Sequence, residues 1–250
     1  MKRGPRFLLA LGFLTRLARA RMAEEKEFSL LWPYFPLAGL VLGSVLVIPF
    51  ALGFLQGYAW VQAWLLLGGS LFLTRGLHWD GWADLWDGWG SGTEGERFWT
   101  VLKDSHIGAF GVMGLVMGLV GQIFLFRTAL ASEAWKALVF VFILGRGSAV
   151  VLACRTRSLA RPGLGLPFIQ GATTTAVLVT LGQILLAGVF FLPLPVLALS
   201  LAVDVLGLAG LVFLAHKKQG VNGDFLGAAI VWGETAGLLG WGLAVGTLPA

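Results

Sequence analysis

The sequence predicts an all-α, polytopic helical membrane protein, and three observations carry that prediction. Hydrophobic residues make up 57% of the 250-residue chain and charged residues only 12%, with a mean hydropathy of +0.84. Residues 28–74 and 162–203 contain no charged side chain at all. Apolar stretches of about 20 residues match a hydrocarbon core ~30 Å thick at 1.5 Å per helical residue. A helix satisfies its own backbone hydrogen bonds in lipid, so these stretches are read as helices.

The chain opens on a short apolar stretch, Phe7–Leu14, followed by Arg16, Arg19 and Arg21. That is a poor cleavage context for a signal peptide. It predicts an N-terminal amphipathic helix at the bilayer surface, with its arginines reaching to the headgroups. About seven spans follow, six to eight being compatible with the pattern. The first two cover roughly residues 34–55 and 60–77, broken at Gln56-Gly57. The third runs over about 108–127 and the fourth over about 136–154. The fifth and sixth, near 173–192 and 196–215, are separated by Pro193-Leu194-Pro195. The last runs from Phe225 to about Gly246. Dispersed among the spans, the 36 glycines suit close helix packing in a bilayer. Residues 1–250 are thus one integral membrane domain, with a homo-oligomer compatible with this reading.

Charge placement orients the spans. With the N-terminus inside, residues 78–107, 155–172 and 216–224 fall on the cytoplasmic side. Together with residues 1–33 they hold fourteen of the eighteen lysines and arginines, as the positive-inside rule requires. The expected location is the plasma membrane of a prokaryote. The net charge of +5 therefore reports topology and contact with anionic headgroups, with no nucleic acid implied. The single cysteine, Cys154, can form no internal disulfide and offers no thiol metal site.

One segment departs from this apolar pattern. Residues 78–107, an acidic loop between the second and third spans, carry Asp80, Asp84, Asp87 and Asp104, two histidines and five tryptophans. Asp80, Asp84 and Asp87 stand at i, i+4 and i+7, which places them within an arc of roughly 60° on one helical face. Like charges that close repel and call for a positive counterpart. Mg²⁺ is the natural candidate, because hard cations take carboxylate oxygens and bridge to substrate phosphates. Asp104, beyond the Gly-rich turn at Gly88–Gly95, could return to the same cation. Solvation, or pairing with Arg97 and Lys103, would account for an ordinary acidic loop; the three-residue face, the membrane boundary and the fourth aspartate favour a metal here. His78 reads as a headgroup-level polar residue or a substrate contact. The tryptophans suit interfacial anchoring, stacking on a flat substrate being the sharper alternative.

The pattern Asp-Gly-x-Ala-Asp-x-x-Asp-Gly is similar in chemical logic to that of the CDP-alcohol phosphotransferases, but its spacing differs. A closer resemblance covers most of the chain. LHWDGWADLWDG followed by LKDSHIGAFG resembles the signature of the cobalamin synthase family, the adenosylcobinamide-GDP ribazoletransferases. So do FLTRLA at Phe13–Ala18, PYFPLAGLVLG at 33–43, GRGSA at 145–149, GLGLPF at 163–168 and VNGDFLGAAIVWGE at 221–234. Three positions depart from the family pattern: Ala18 stands for proline, His106 for a common arginine, and Val221-Asn222 for a Tyr/Gln-Thr pair.

The resemblance implies a transferase that joins adenosylcobinamide-GDP to α-ribazole, or its phosphate, with release of GMP. Such a step needs charge neutralisation on the leaving phosphate and positioning of the alcohol. Mg²⁺ on Asp80, Asp84, Asp87 and Asp104 would supply the first; Asp84 or Asp87 could instead act as base toward the hydroxyl. The expected substrate contacts are Arg16, His78, Lys103, Ser105, Arg146, Asn222 and Asp224. Arg146 and Glu234 lie within spans, where a charge is expensive unless paired or facing a polar cavity. Asp204 carries only a packing or pairing role. Two further function classes are a lipid-forming CDP-alcohol phosphotransferase and a membrane transporter using Arg146, Asp204 and Glu234 as a relay.

Overall fold

The computed structural model describes residues 5–19 and 24–246. Arg21, one of the arginines assigned to the bilayer surface, lies outside the described residues. Among the described residues, six helices are long and apolar enough to cross a membrane, and a seventh apolar helix is shorter. The chain is a polytopic helical membrane protein.

Helix α1 (Arg6–Leu14) is short. Leu9, Ala10, Leu11 and Leu14 are buried in a core shared with Trp32, Phe35 and Phe168. Its apolar side therefore faces protein, and Arg16 and Arg19 follow its C-terminus. A single turn, α2 (Glu25–Phe28), leads to the first span, α3 (Phe35–Ala51). Pro36 sits in the first turn of α3, where a missing N–H costs nothing. The shorter apolar helix is α4 (Ala59–Thr74). It stops because Arg75 and Gly76 both adopt left-handed backbone, with φ of 59° and 68°, a common helix terminator.

The acidic segment is not a loop. It folds as two helices, α5 (Leu77–Gly90) and α6 (Glu96–Leu102), joined by a turn through Gly92 and Gly95. The remaining spans are α7 (Ala109–Ala131), α8 (Trp135–Arg155), α10 (Thr174–Phe191), α11 (Leu194–Lys217) and α12 (Gly223–Val245). The short α9 (Leu166–Gly171) precedes α10. Thr173 caps α10 by accepting the Ala176 N–H at 3.2 Å, one of the orphan donors at a helix start. Pro195 enters the first turn of α11.

Helices α8 and α12 form the centre and are the most buried spans. They approach closely because small residues face each other: a Cβ on Gly145 would stand 2.6 Å from the Ile230 carbonyl oxygen. Helices α3 and α10 pack on α8, while α5 and α11 pack on α12, and α7 lies between α4 and α5. The outward faces of α7, α10 and α11 carry exposed Met117, Leu186 and Leu206, as a lipid-facing belt should. The connection between α4 and α7, that between α8 and α10, and the start of α12 all lie at one end of the bundle. That end holds the acidic residues.

Candidate active site

At this end α5 runs along α12, and the approach is set by glycine. A Cβ on Gly81 would come within 2.7 Å of the Asp224 Cα, and one on Gly227 within 3.2 Å of the His78 Cα. No larger residue fits at Gly81 without displacing α12. Asp224 therefore faces the helix that carries Asp80 and Asp84. The start of α12 is held in turn by the 159–165 connection. Leu159 O accepts the Val221 N–H, and Val221 O accepts the Arg161 N–H, both at 2.9 Å, with Gly165 against Gly223. The Asn222 side-chain N–H donates to Asp224 Oδ2 at 2.6 Å. Two segments far apart in sequence, around residues 163 and 222, thus meet beside the aspartate face.

Asp80 and Asp84 line a cleft of about 990 Å³, together with Arg75, Lys103, Asp104 and Ser105. Leu71, Trp79, Leu115 and Leu119 form its apolar side. Asp84 is half-buried. Burial, and then the neighbouring carboxylates of Asp224, Asp80 and Asp87, push its pKa up to about 7. The site thus holds negative charge against an electrostatic penalty.

Asp87 shares the helical face but has a different occupation. It is buried, and its two carboxylate oxygens accept the Gly108 and Gly111 N–H groups, each at 2.7 Å. These are free donors in the first turn of α7, where the helix dipole also favours a negative charge. A side chain at Gly108 or Gly111 would run into that carboxylate. Asp104 is also engaged: its Oδ1 accepts the His106 backbone N–H at 3.0 Å and meets His106 Nδ1 at 2.8 Å. The backbone bond, then the ring, holds its carboxyl below the usual range. The four aspartates expected to share one cation are therefore not gathered as a group. Among the described residues, no three acids, histidines or cysteines could together hold a metal ion.

The expected substrate contacts divide. Lys103 and Ser105 are exposed in the cleft, and Asn222 and Asp224 stand beside it. His78 does not face it: the ring is buried, and its pKa is well below the ordinary value because of burial and the Arg146 charge. The sequence placed His78 at the headgroup level because it adjoins a polar segment, but α5 starts inside the bundle. Arg146 is fully buried and donates to Glu234 Oε1, while Gln122 Nε2 donates to Glu234 Oε2 at 3.2 Å. Arg146 Nη1 is thus engaged in a buried ion pair. Asp204 accepts the Ser148 hydroxyl at 2.9 Å. Arg16 Nε donates to Phe72 O at 2.8 Å and its guanidinium lies over the Phe72 ring, so it caps the end of α4.

Arg75, not among the residues expected at the site, also lines the cleft. Its guanidinium donates to Gly12, Phe13 and Thr15 carbonyls at the end of α1. Arg16 and Arg75 thus cap each other's helices. Gln122 also escaped the sequence reading; its only signal was a carboxamide in an otherwise apolar span.

A multi-span membrane protein with a carboxylate-lined cleft at one end of its helix bundle is the class that fold and site define. The description Cobalamin-5-phosphate synthase matches residues 6–242. The chain is 45% identical over 237 residues to the adenosylcobinamide-GDP ribazoletransferase of Nitratidesulfovibrio vulgaris (strain DSM 19637 / Miyazaki F), covering 95% of this chain and 94% of that protein. Proteins of the same name from Thiobacillus denitrificans and Chlorobaculum tepidum are 36% and 33% identical. The first alignment covers 93% of this chain and 92% of the relative, the second 89% and 91%. The chain belongs to the cobalamin-5-phosphate synthase family and is a transferase of cobalamin synthesis. No solved structure matches it.

Proposed function

We propose that the protein transfers the adenosylcobinamide-phosphate group from adenosylcobinamide-GDP to a ribose hydroxyl of α-ribazole or its phosphate, releasing GMP. The observation that carries the chemistry is the single cleft lined by Asp80 and Asp84 together with Lys103 and Ser105. The family and the names of its members support the choice of substrates. In the reaction, the ribose oxygen bonds to the phosphorus on the cobinamide side. The bridging P–O bond to GMP breaks, GMP leaves as the phosphate anion, and the hydroxyl proton passes to solvent.

The carboxylates fit a hard divalent cation. Asp84 is destabilised as an anion by burial and by Asp224 and Asp80, all donors are oxygens, and no full ligand cage is preformed. Mg²⁺ is held in this manner, through one or two carboxylates, several waters and substrate phosphates. Asp80 and Asp84, which line the cleft, would hold it; Asp224 accepts from Asn222, and Asp87 and Asp104 have other partners. When bound, it would neutralise charge on the diphosphate as a Lewis acid. Lys103, exposed in the same cleft, supplies a further positive charge for the phosphates. The apolar side, with Trp79 and Leu115, offers a dry wall for the less polar part of a substrate. The positive-inside bias supports a cytoplasmic cleft in the cell membrane of a prokaryote.

The test incubates purified protein with Mg²⁺, adenosylcobinamide-GDP and α-ribazole, and measures GMP. Release of GMP with loss in Asp84→Asn is expected. No GMP, or full activity in Asp84→Asn, overturns the proposal.

A further inference from the structure

On the side of α5 away from the acidic cleft, a second cavity of about 360 Å³ opens between α5 and α11. Both helices pack on α12, and the groove between them reaches down to Trp232. Trp82, Trp86 and Trp89 of α5 form one wall, and Gly207, Gly210 and Leu214 of α11 the other. The tryptophans face this way because they alternate with the aspartates around α5. The proposed reaction uses none of these groups.

The groove's length and its charge both point to one kind of occupant. Gly207 and Lys217 both line it and lie ten residues apart on α11, about 15 Å at the helical rise. That is half of a ~30 Å hydrocarbon core, the depth of a single leaflet. Phe213 and Trp89 along the groove are exposed, as is Gly210, so it opens outward on the lipid-facing side of α11. At its polar end, Lys218 is committed to the Thr93 carbonyl at 2.6 Å and lies over the Phe98 ring. Lys217 is exposed and has no hydrogen bond or ion pair among the described residues. Glu94, Lys217 and Lys218 all line this rim, two positive charges against one negative, and Lys217 is the cation left without a partner among the described residues.

We infer that this groove binds one phospholipid of the adjoining leaflet, with an acyl chain along the tryptophan wall and an anionic headgroup on Lys217. The chain reaches Trp232 at the depth of the bilayer centre. An apolar groove of one leaflet's depth beside a lysine matches an anionic lipid in both shape and charge.

Gly210 gives a clean test, because a Cβ there meets nothing within 4 Å. A phenylalanine here starts from an unobstructed Cβ on the groove wall and is expected to occupy groove volume. Full-length protein, delipidated in detergent, is mixed with equimolar phosphatidylglycerol and phosphatidylcholine, and retained lipids are counted by native mass spectrometry. Wild type is expected to keep one phosphatidylglycerol with about fivefold preference, the gain one lysine draws from an anionic headgroup. Lys217→Gln should bind the two lipids equally, and Gly210→Phe should hold one lipid fewer with unchanged helix content. Should Gly210→Phe fail to fold, Phe213→Ser on the exposed wall should weaken retention in the same way. Equal lipid counts in wild type and the groove variants overturn the inference, as does a wild type with no headgroup preference. A wild-type dimer that becomes a monomer in Gly210→Phe also overturns it, by making the groove a contact between copies. The assay measures no turnover, so its outcome is independent of the proposed transferase reaction.

Discussion

Asp87 on α5 accepts the backbone N–H of Gly111 in α7 at 2.7 Å, with its second oxygen on Gly108. One carboxylate thereby caps a membrane helix from a neighbouring helix, and ties the acidic face of α5 to the span that closes the cleft. Replacing Asp87 by Ala removes two charge-assisted bonds and leaves buried N–H groups at Gly108 and Gly111. The expected cost is about 2–4 kcal/mol, summing the capping and buried-donor contributions. Thermal unfolding followed by tryptophan fluorescence should show it. Asp87→Asn, which retains one acceptor, should lose less. Neither should change the Mg²⁺ concentration for half-maximal activity in the protein that remains folded, whereas a direct ligand role would raise it.

The Asp84 carboxyl predicts a pH dependence of the metal-free protein. Its folded pKa, about 7, lies above the ordinary 3.8, so the folded state binds this proton more tightly than the unfolded chain. The stability it contributes is full below about pH 4 and is lost as pH rises through about 7. Asp84→Asn should therefore raise the melting temperature of the metal-free protein at pH 8 and leave it nearly unchanged at pH 4. The group is half exposed and partly screened, so the gain is roughly 2–4 °C, what about 1 kcal/mol gives a chain of this size. Unfolding at the two pH values, with chelator present, checks it.

Much of the fold was legible because lipid imposes a simple rule. Charge-free runs such as residues 28–74 and 162–203 favour helix in lipid, with Gln56-Gly57 marking the turn in the first and Pro193 that in the second. All seven apolar helices lie where hydropathy put them. The aspartate face was legible too, since i, i+4, i+7 spacing is a local property of a helix. Their partners were not. That Asp87 would find Gly108 and Gly111, and Arg146 would find Glu234, depends on which helices become neighbours, and hydropathy does not encode that. His78 was misplaced for the same reason: its neighbours in sequence are polar, but α5 begins against Gly227, inside the bundle.

The Arg146–Glu234 pair yields a prediction that separates structure from substrate binding. Arg146→Gln leaves Glu234 buried with only Gln122 as partner, and breaking such a pair costs about 3–5 kcal/mol. The double variant Arg146→Gln/Glu234→Gln removes both charges and should recover most of that loss, the two sites being directly coupled. Yield and melting temperature of the three variants are the measurement. A phosphate-binding arginine would behave differently: the double variant would stay as inactive as the single one, with a raised KM for the nucleotide substrate.

Chelation completes the set, because it addresses the cation apart from the fold. Removing divalent metal should abolish GMP release while leaving helix content unchanged, and added Mg²⁺ should restore the activity. Asp80→Asn should raise the Mg²⁺ concentration needed for half-maximal activity by about tenfold, the effect of losing roughly 1.4 kcal/mol of binding. Asp104→Asn should move it far less, since Asp104 Oδ1 is already engaged by His106. An equal shift in both variants would place Asp104 on the metal after all and would require the 103–107 turn to rearrange when substrate binds. Mg²⁺ titrations of the initial rate in the wild type and the two variants distinguish these outcomes.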